Sequence, residues 1–142
     1  MKFTIAALLG LVAVNAIKID QSPVDFSQMQ VCTETESEAF GWKNNLPGFY
    51  KDTAVTELDG KSAVTFLTEG EYKKPAFVVA YHPQCPHCST IVEDVKSLAI
   101  DCKGNKVGAT VDAINMSTLD GKQSKTVGIN SYPTIRLYSA PG

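Results

Sequence analysis

The stretch AFVVAYHPQCPHC, residues 76–88, decides the fold. It begins with a continuous apolar run, Ala76–Tyr81, ahead of Pro83. A run of this length and valine content is typical of a strand buried on both faces, as in a parallel sheet. After Pro83 the apolar residues recur at helical spacing, and Pro86 suits the first turn of a helix. We therefore predict a strand that passes directly into a helix, with two cysteines at the junction.

Strand and helix patterns alternate on both sides of this junction. Upstream, TAVTEL alternates apolar and polar side chains, and Gly70 ends a short helical pattern. Downstream, Gly104 provides a stop for the helix that begins at Pro86. The predicted elements are a short helix near 34–40, a strand at 53–58, a helix at 62–68, a strand at 76–81, a helix at 86–104, a strand at 107–113, a weakly helical stretch at 116–125 and a strand at 134–138. The alternation predicts an α/β fold with a layered sheet.

The composition indicates one globular domain. The 142 residues carry a net charge of -2 and are 44% hydrophobic and 20% charged. No basic excess is present, so nothing in the charge balance points to nucleic acid. We divide the chain into a signal peptide at 1–16, a polar N-terminal leader at 17–50 and the domain at 51–142.

The signal peptide is predicted from MKFTIAALLGLVAVNA at the start of the chain. Lys2 supplies a positive charge, an apolar run follows, and small residues allow cleavage after Ala16. A membrane anchor is the alternative, but the run is shorter than the roughly 20 residues that span a bilayer. We expect the mature domain in the lumen of the endoplasmic reticulum or outside the cell, where disulfides persist.

Cys85 and Cys88 lie where the central strand ends and the helix begins. The first turn of a helix carries partial positive charge, so the Cys85 sulfur is predicted to be exposed and to ionise readily. Cys88 starts the apolar stripe and is predicted to be more shielded. In thiol–disulfide exchange a thiolate attacks and a neighbouring thiol resolves the mixed disulfide. We assign attack to Cys85 and resolution to Cys88, with a redox disulfide between them.

His87 lies between the two cysteines and is predicted to tune them. A cationic His87 would stabilise a Cys85 thiolate, and hence the reduced form, which makes the disulfide a stronger oxidant. One pKa unit corresponds to about 1.4 kcal/mol, or roughly 30 mV for a two-electron couple. We therefore expect an oxidant or isomerase rather than a reductase of the cytosolic type.

Three other uses of the cysteine pair fit the sequence less well. A zinc site would need His82, Cys85, His87 and Cys88 as ligands, and so crowded a set makes a tetrahedral arrangement difficult. Haem attachment needs a histidine directly after the second cysteine, where Ser89 stands. A structural disulfide across so short a loop removes little unfolded-state entropy. We expect no metal and no organic cofactor.

Four other residues stand out. Cys32 and Cys102 either bridge to each other or remain free, and Cys102 is expected to be a buried thiol on the helical stripe. His82 is expected at the rim of the site, where its charge would help the Cys85 thiolate. Asn115-Met116-Ser117 matches the glycosylation sequon of secretory proteins.

These features together resemble a thioredoxin-fold domain of the protein disulfide isomerase family. The resemblance covers about residues 53–140 and rests on FVVAYHPQCPHC, on VDA at 111–113 and on VGINSYPTIRLY at 127–138. The CPHC tetrad is more similar to bacterial periplasmic oxidases of the DsbA type than to the usual Cys-Gly-His-Cys. The resemblance implies a thioredoxin-like layered sheet with flanking helices, here lacking the last strand and the C-terminal helix.

The resemblance also implies roles for individual residues. It makes Cys85 the nucleophile, Cys88 the resolving thiol and His87 the tuning residue. It makes the Tyr132–Pro133 peptide bond cis and places the Tyr132 backbone where an extended substrate chain can pair with it.

Two positions depart from the family's pattern. Val79 stands where the family has a buried acid, six residues before the first cysteine. We therefore expect deprotonation of Cys88 to be slow or to use water. Gln84 replaces the usual Trp beside the nucleophile, which changes the surface that meets the substrate.

We predict a thiol–disulfide oxidoreductase or isomerase of the secretory pathway. Its partners would be protein substrates with thiols or disulfides, and it would need no cofactor because the active-site disulfide is itself the oxidant. The alternative is a non-catalytic thioredoxin-like module that binds clients beside Pro133. The missing last strand would also leave a sheet edge that a partner could complete.

Overall fold

A mixed sheet lies at the centre of the molecule, with helices packed against it. The computed structural model describes residues 30–70, 74–105 and 108–139, so the predicted signal peptide lies outside the described residues. The strands are β1 (Cys32–Thr33), β2 (Thr56–Leu58), β3 (Ala76–Tyr81), β4 (Thr110–Asn115), β5 (Ser131–Tyr132) and β6 (Thr134–Tyr138). The helices are α1 (Glu34–Ala39), α2 (Gly60–Glu69), α3 (Pro86–Thr90), α4 (Val92–Gly104) and α5 (Gly121–Val127), with a 3-10 turn at Met116–Thr118.

The central sheet has the strand order β2-β4-β3-β6. Strands β2, β4 and β3 run parallel, and β6 runs antiparallel to β3. Five of the six residues of β3 are buried, which confirms the predicted strand. The predicted strand at 107–113 is shifted, because β4 pairs with β3 from Thr110 as far as Asn115. Val107 itself lies outside the described residues.

Local capping fixes the ends of two helices. The α2 helix starts at Asp59, whose side chain accepts a hydrogen bond from the Ser62 backbone while Ser62 Oγ accepts from the Asp59 backbone. It ends at Gly70, which has a left-handed backbone with φ 60°. The α5 helix ends in the same way at Gly128. These reciprocal caps explain why short helices with few buried residues form here.

The predicted helix at 86–104 is divided in two. Ile91 ends α3 and precedes α4, with φ -98° and ψ -1°. Of the apolar residues that recur at helical spacing here, Val95, Ala99 and Cys102 are buried, whereas Leu98 is exposed. The buried stripe is therefore narrower than the sequence pattern suggested.

The described part of the predicted leader, residues 30–50, packs onto the sheet. Cys32 and Tyr50 are buried among the core residues. The backbone N–H of Phe49 donates to the Tyr81 hydroxyl at 3.0 Å. Strand β1 also pairs antiparallel with β5 in a separate two-stranded ladder. Residues 30–50 are thus part of the folded unit in this structure, although the sequence pattern separated them from it.

Strand β6 lies at one edge of the central sheet. Its Ile135 and Leu137 side chains are exposed.

Within the three described ranges, none of the helices has the length and apolar character needed to cross a membrane.

Candidate functional site

Cys85 lies at the N-terminal cap of α3, as predicted. Its backbone N–H donates to the His82 carbonyl at 3.0 Å, and its own carbonyl accepts from the Cys88 N–H at 3.1 Å. Pro86 occupies the first helical turn, where its missing N–H leaves no bond unmade. This turn positions Cys85 four residues after the end of β3 and orients Cys88 toward the core.

Cys85 is bonded to Cys32 and not to Cys88. The two Cα atoms are 6.1 Å apart, and 53 positions separate the residues in the chain. Cys85 is only 1% exposed and Cys32 6% exposed, so the exposed Cys85 thiol that we predicted is not present in this state. The reason is the pairing of β1 with β5, which places Cys32 opposite Tyr132. The Tyr132 carbonyl oxygen in turn lies 3.5 Å from Cys85 Sγ.

This pairing also answers the question left open for the outer cysteines. Cys32 and Cys102 do not bridge to each other, and Cys102 is a free, buried thiol as expected. The predicted Cys85–Cys88 disulfide is absent from this redox state and stays a prediction for another one.

Cys88 is a free thiol with no exposed surface. Burial raises the pKa of this thiol from 9.0 to about 12, and a backbone hydrogen bond involving His82 opposes the shift only in part. No acid lies on β3 to take the proton, and Val79, six residues before Cys85, is apolar and buried. Cys88 is therefore shielded, as predicted, and strongly held in its protonated form.

Two buried phenols lie close enough to Cys88 to interact with it electrically. The pKa of Tyr50 is raised mainly by burial and then by the charge of Cys88. The pKa of Tyr132 is raised to about 12, mainly by burial, with smaller effects of Glu34 and Cys88. Among the described residues, the Tyr50 hydroxyl is the buried side-chain polar atom that has no hydrogen-bond partner. No sequence pattern indicated Tyr50, which lies in the predicted leader.

The Glu57 carboxyl, near Tyr50, is a second group that no sequence pattern indicated. Glu57 accepts a hydrogen bond from the Tyr81 hydroxyl. Burial raises the pKa of Glu57, and a hydrogen bond from the Tyr50 backbone lowers it in part. Gly48 leaves room for this carboxylate, because a Cβ there would overlap it. Glu57 lies on β2, where the alternation of apolar and polar side chains in the sequence predicts that it faces solvent.

His82 and His87 differ sharply in environment. His82 is buried, and its Nδ1 accepts a hydrogen bond from the Gln84 N–H at 3.1 Å. Burial lowers the pKa of His82, and a hydrogen bond with the Lys43 backbone opposes this shift in part. The burial thus disfavours the charge that we expected on this ring. His87 is half-buried and, with Gln84, lines a pocket of about 250 Å³ that also borders Cys32.

The Tyr132–Pro133 peptide bond is cis, as the resemblance implied. Both residues are buried, and Tyr132 belongs to β5. The backbone edge that we predicted for an extended substrate chain is occupied by β1 of the same chain. The role of Tyr132 and Pro133 in binding substrate stays a prediction.

Asn115 lies at the buried end of β4. Its Nδ2 donates to the Leu46 carbonyl at 2.9 Å, and its Oδ1 accepts from the backbone and the hydroxyl of Ser117. A glycan would have to be attached to this nitrogen, which is buried and already bonded. This burial argues against the predicted glycosylation of Asn115 in the folded chain.

The chain resembles known proteins over part of its length. No family model matches it. Over 60 residues it is 37% identical to a protein disulfide-isomerase A6 homologue from Drosophila melanogaster, which is 42% of this chain but only 13% of that relative. The solved J-Trx1 fragment of ERdj5 superposes with a TM-score of 0.51 at 21% identity, covering 64% of this chain and 40% of the other. The Trx4 domain of ERdj5 gives a TM-score of 0.48 at 22% identity, covering 61% and 71%.

The fold and these similarities agree. The domain has a central mixed sheet with flanking helices. It superposes on the J-Trx1 fragment, which shows that the domain has the thioredoxin fold. A segment of 60 residues is similar in sequence to a protein disulfide-isomerase A6 homologue. The chain therefore contains a thioredoxin-like domain that is similar in sequence to part of a protein disulfide isomerase.

Proposed function

We propose that this domain belongs to the protein disulfide isomerase family and is a thiol–disulfide oxidoreductase that acts on protein cysteines in the secretory pathway. One observation carries the proposal. Cys85, at the head of α3, is engaged in a disulfide beside the cis-proline loop, while the free thiol of Cys88 is held one helical turn away. The predicted signal peptide supports the compartment.

The chemistry follows from these two sulfur atoms. With Cys85 and Cys88 joined, a substrate thiolate attacks Cys85 Sγ, a mixed disulfide forms and the Cys88 sulfur leaves with the electron pair. A second substrate thiolate then attacks the substrate sulfur of the mixed disulfide and releases Cys85. The substrate gains one disulfide, and the domain is left with two thiols.

The direction of electron flow depends on the thiolate of Cys85. A thiolate at the head of α3 would lie near the N–H groups of the first turn and next to His87, both of which favour the charged form. Stabilising the reduced form makes the disulfide a better oxidant. We therefore propose an oxidase or isomerase, with extended cysteine-containing segments as substrates at Tyr132 and Pro133.

A non-catalytic binding module is the second candidate, and a specific observation favours it. Cys85 is almost completely buried in its bond with Cys32, and Cys88 has Val79 in place of an acid. Both features slow the exchange of disulfides. A domain of this kind could hold extended clients at the loop before Pro133 without turning them over.

Turnover separates the two candidates. The measurement is oxidation of a dithiol peptide and reactivation of a scrambled disulfide protein, with Cys102→Ser as the matched control because Cys102 is a buried thiol outside the site. We expect activity in the wild type and in the control, and none in Cys85→Ser. Equal client binding by all three proteins, with turnover by none, would favour the binding module.

The redox potential of the Cys85–Cys88 couple tests the proposed direction. We expect a value well above that of thioredoxin, which is about -270 mV. A potential close to thioredoxin's would show a reductant and overturn the oxidant assignment. Equilibration of Cys32→Ser with glutathione buffers, followed by counting of alkylated thiols, gives this potential without interference from Cys32.

A further inference from the structure

The observed disulfide joins two parts of the chain with different characters. Cys85 belongs to the CPHC sequence at the head of α3, and Cys32 belongs to the two-residue strand β1. Cys88 remains free beside this pair. The site therefore contains three cysteines and one disulfide, and the resolving thiol is the one left out.

The backbone around Cys32 is extended and pairs with the chain directly before the cis proline. Cys32 lies opposite Tyr132, and Thr33 lies opposite Ser131, in an antiparallel ladder. The N–H of Glu34 continues this ladder and donates to the carbonyl of residue 130 at 2.9 Å. An extended chain whose cysteine is bonded to Cys85 and whose backbone pairs with this loop is the arrangement proposed above for a bound protein substrate.

The residues after β1 contact the loop that carries Cys85. The Trp42 ring lies 4.5 Å from the ring of His82, centroid to centroid. The N–H of Lys43 donates to Gln84 Oε1 at 2.6 Å. These contacts dock the segment onto His82 and Gln84, which lie just before Cys85 on either side of Pro83.

The docked segment is held by few contacts. Helix α1 has no buried residue, and its N-terminus is capped by Thr33 and Glu36 within the segment itself. Phe40 is 73% exposed. The segment 31–42 is thus attached to the rest of the domain mainly by the disulfide, the short ladder and Trp42. Few buried apolar contacts oppose its local opening.

We propose that Cys32 is a third redox-active residue of this site, and that residues 31–34 form an internal substrate which occupies the site until Cys88 displaces it and leaves the site open to a protein substrate. This inference rests on the proposed oxidoreductase function. The Cys32–Cys85 bond is then the counterpart, within one chain, of the mixed disulfide with a substrate.

The exchange needs no external oxidant or reductant. Cys88 loses its proton to solvent, and its thiolate attacks Cys85 Sγ. The Cys85–Cys88 bond forms as the Cys32–Cys85 bond breaks, and Cys32 leaves as a thiolate that takes up a proton. One disulfide and one thiol are present before and after the step. The reverse step, attack of Cys32 on Cys85 Sγ, restores the occupied state.

Disulfide mapping of the wild-type chain tests this proposal directly. The protein is equilibrated in a glutathione buffer and quenched with acid, its free thiols are alkylated, and its peptides are identified by mass spectrometry. We expect both the Cys32–Cys85 and the Cys85–Cys88 bonds in wild type and in Cys102→Ser, and the Cys32–Cys85 bond alone in Cys88→Ser. A wild-type chain that holds only Cys85–Cys88, with Cys32 alkylated as fast as in the denatured chain, would overturn the proposal.

Release of the internal substrate can be followed independently of any variant that fails to fold. Trp42 is the sole tryptophan of the chain, and in the docked segment its ring lies 4.5 Å from the His82 ring, centroid to centroid. We expect reduction of the wild-type protein to change the Trp42 emission, at the same rate at which the Cys32 thiol becomes alkylated. An unchanged emission while Cys32 is alkylated would contradict the release of the segment.

Turnover adds a test that distinguishes this inference from the proposed function. If two thirds of the wild-type chain is in the Cys32–Cys85 state, Cys32→Ser should oxidise a dithiol peptide with an initial rate about threefold higher, because the occupied state cannot react. Equal initial rates in the two proteins would refute the internal substrate. If neither protein turns over substrate while both disulfides are still found by mapping, the exchange of Cys32 stands and the oxidoreductase function fails.

Discussion

Raising the pH should accelerate the exchange from the Cys32–Cys85 disulfide to the Cys85–Cys88 disulfide. Only the thiolate of Cys88 can attack, and burial raises the pKa of this thiol to about 12. The protonated form therefore dominates at every pH below that value. Each added pH unit should increase the thiolate fraction, and with it the exchange rate, about tenfold.

The same pKa sets the speed at neutral pH. At pH 7 about one Cys88 thiol in 10⁵ is ionised, compared with about one in 10² for a thiol whose pKa is 9.0. The more basic thiolate is also the better nucleophile, with a Brønsted coefficient of about 0.4–0.5, which recovers part of the loss. Over about three pKa units, the net effect is an exchange roughly 30- to 60-fold slower than an ordinary thiol would give.

Trapping of the released Cys32 thiol measures this rate. The Cys32–Cys85 form is purified under acid and transferred to buffers between about pH 6 and about pH 10 that contain excess iodoacetamide, a range in which the thiolate of Cys88 stays scarce. Each Cys32 thiol that leaves is alkylated and cannot return, and a rate independent of reagent concentration shows that exchange is limiting. Cys88→Ser serves as the control that cannot exchange. A rate that levels off near pH 8 or 9 would refute the strong burial of the Cys88 thiol.

Three stability measurements by urea denaturation follow from other contacts. In Cys88→Ser, reduction of the Cys32–Cys85 disulfide should lower the free energy of unfolding by about 4 kcal/mol, because the bond joins residues 53 positions apart. A loss below about 1 kcal/mol would contradict this crosslink. Tyr50→Phe removes a buried hydroxyl without a partner and should raise the free energy of unfolding by about 1 kcal/mol, whereas a loss would reveal a partner for that hydroxyl. Asn115→Ala leaves the Leu46 carbonyl without its donor and should cost about 2 kcal/mol. Wild type that is expressed through a secretory pathway should also show no mobility shift with an endoglycosidase, and such a shift would contradict the burial of Asn115.

Much of the central sheet could be predicted because its signals are local. The apolar run of β3 and the strand β6 after Pro133 have the predicted bounds, since each is a continuous β-type stretch beside a proline. The junction of β3 with α3 likewise placed Cys85 at a helix cap. In each case the deciding residues are neighbours in the sequence.

The occupant of the site could not be predicted from such signals. Strands β1 and β5 have two residues each, too few to show a period. The bond between Cys32 and Cys85 depends on how β1 docks against Tyr132, which is a matter of three-dimensional packing. The lowered pKa of His82 has the same origin, because the contact of its ring with Trp42 depends on three-dimensional packing and not on the order of residues.

The number of cysteines near the helix head has a consequence of its own. Cys102 lines a different pocket, with Val111 and Thr110, and so takes no part in the cluster of three. Three sulfurs can never be completely paired within this cluster. With one disulfide formed among them the cluster always keeps one thiol, and a disulfide at that last sulfur needs a thiol from outside the cluster.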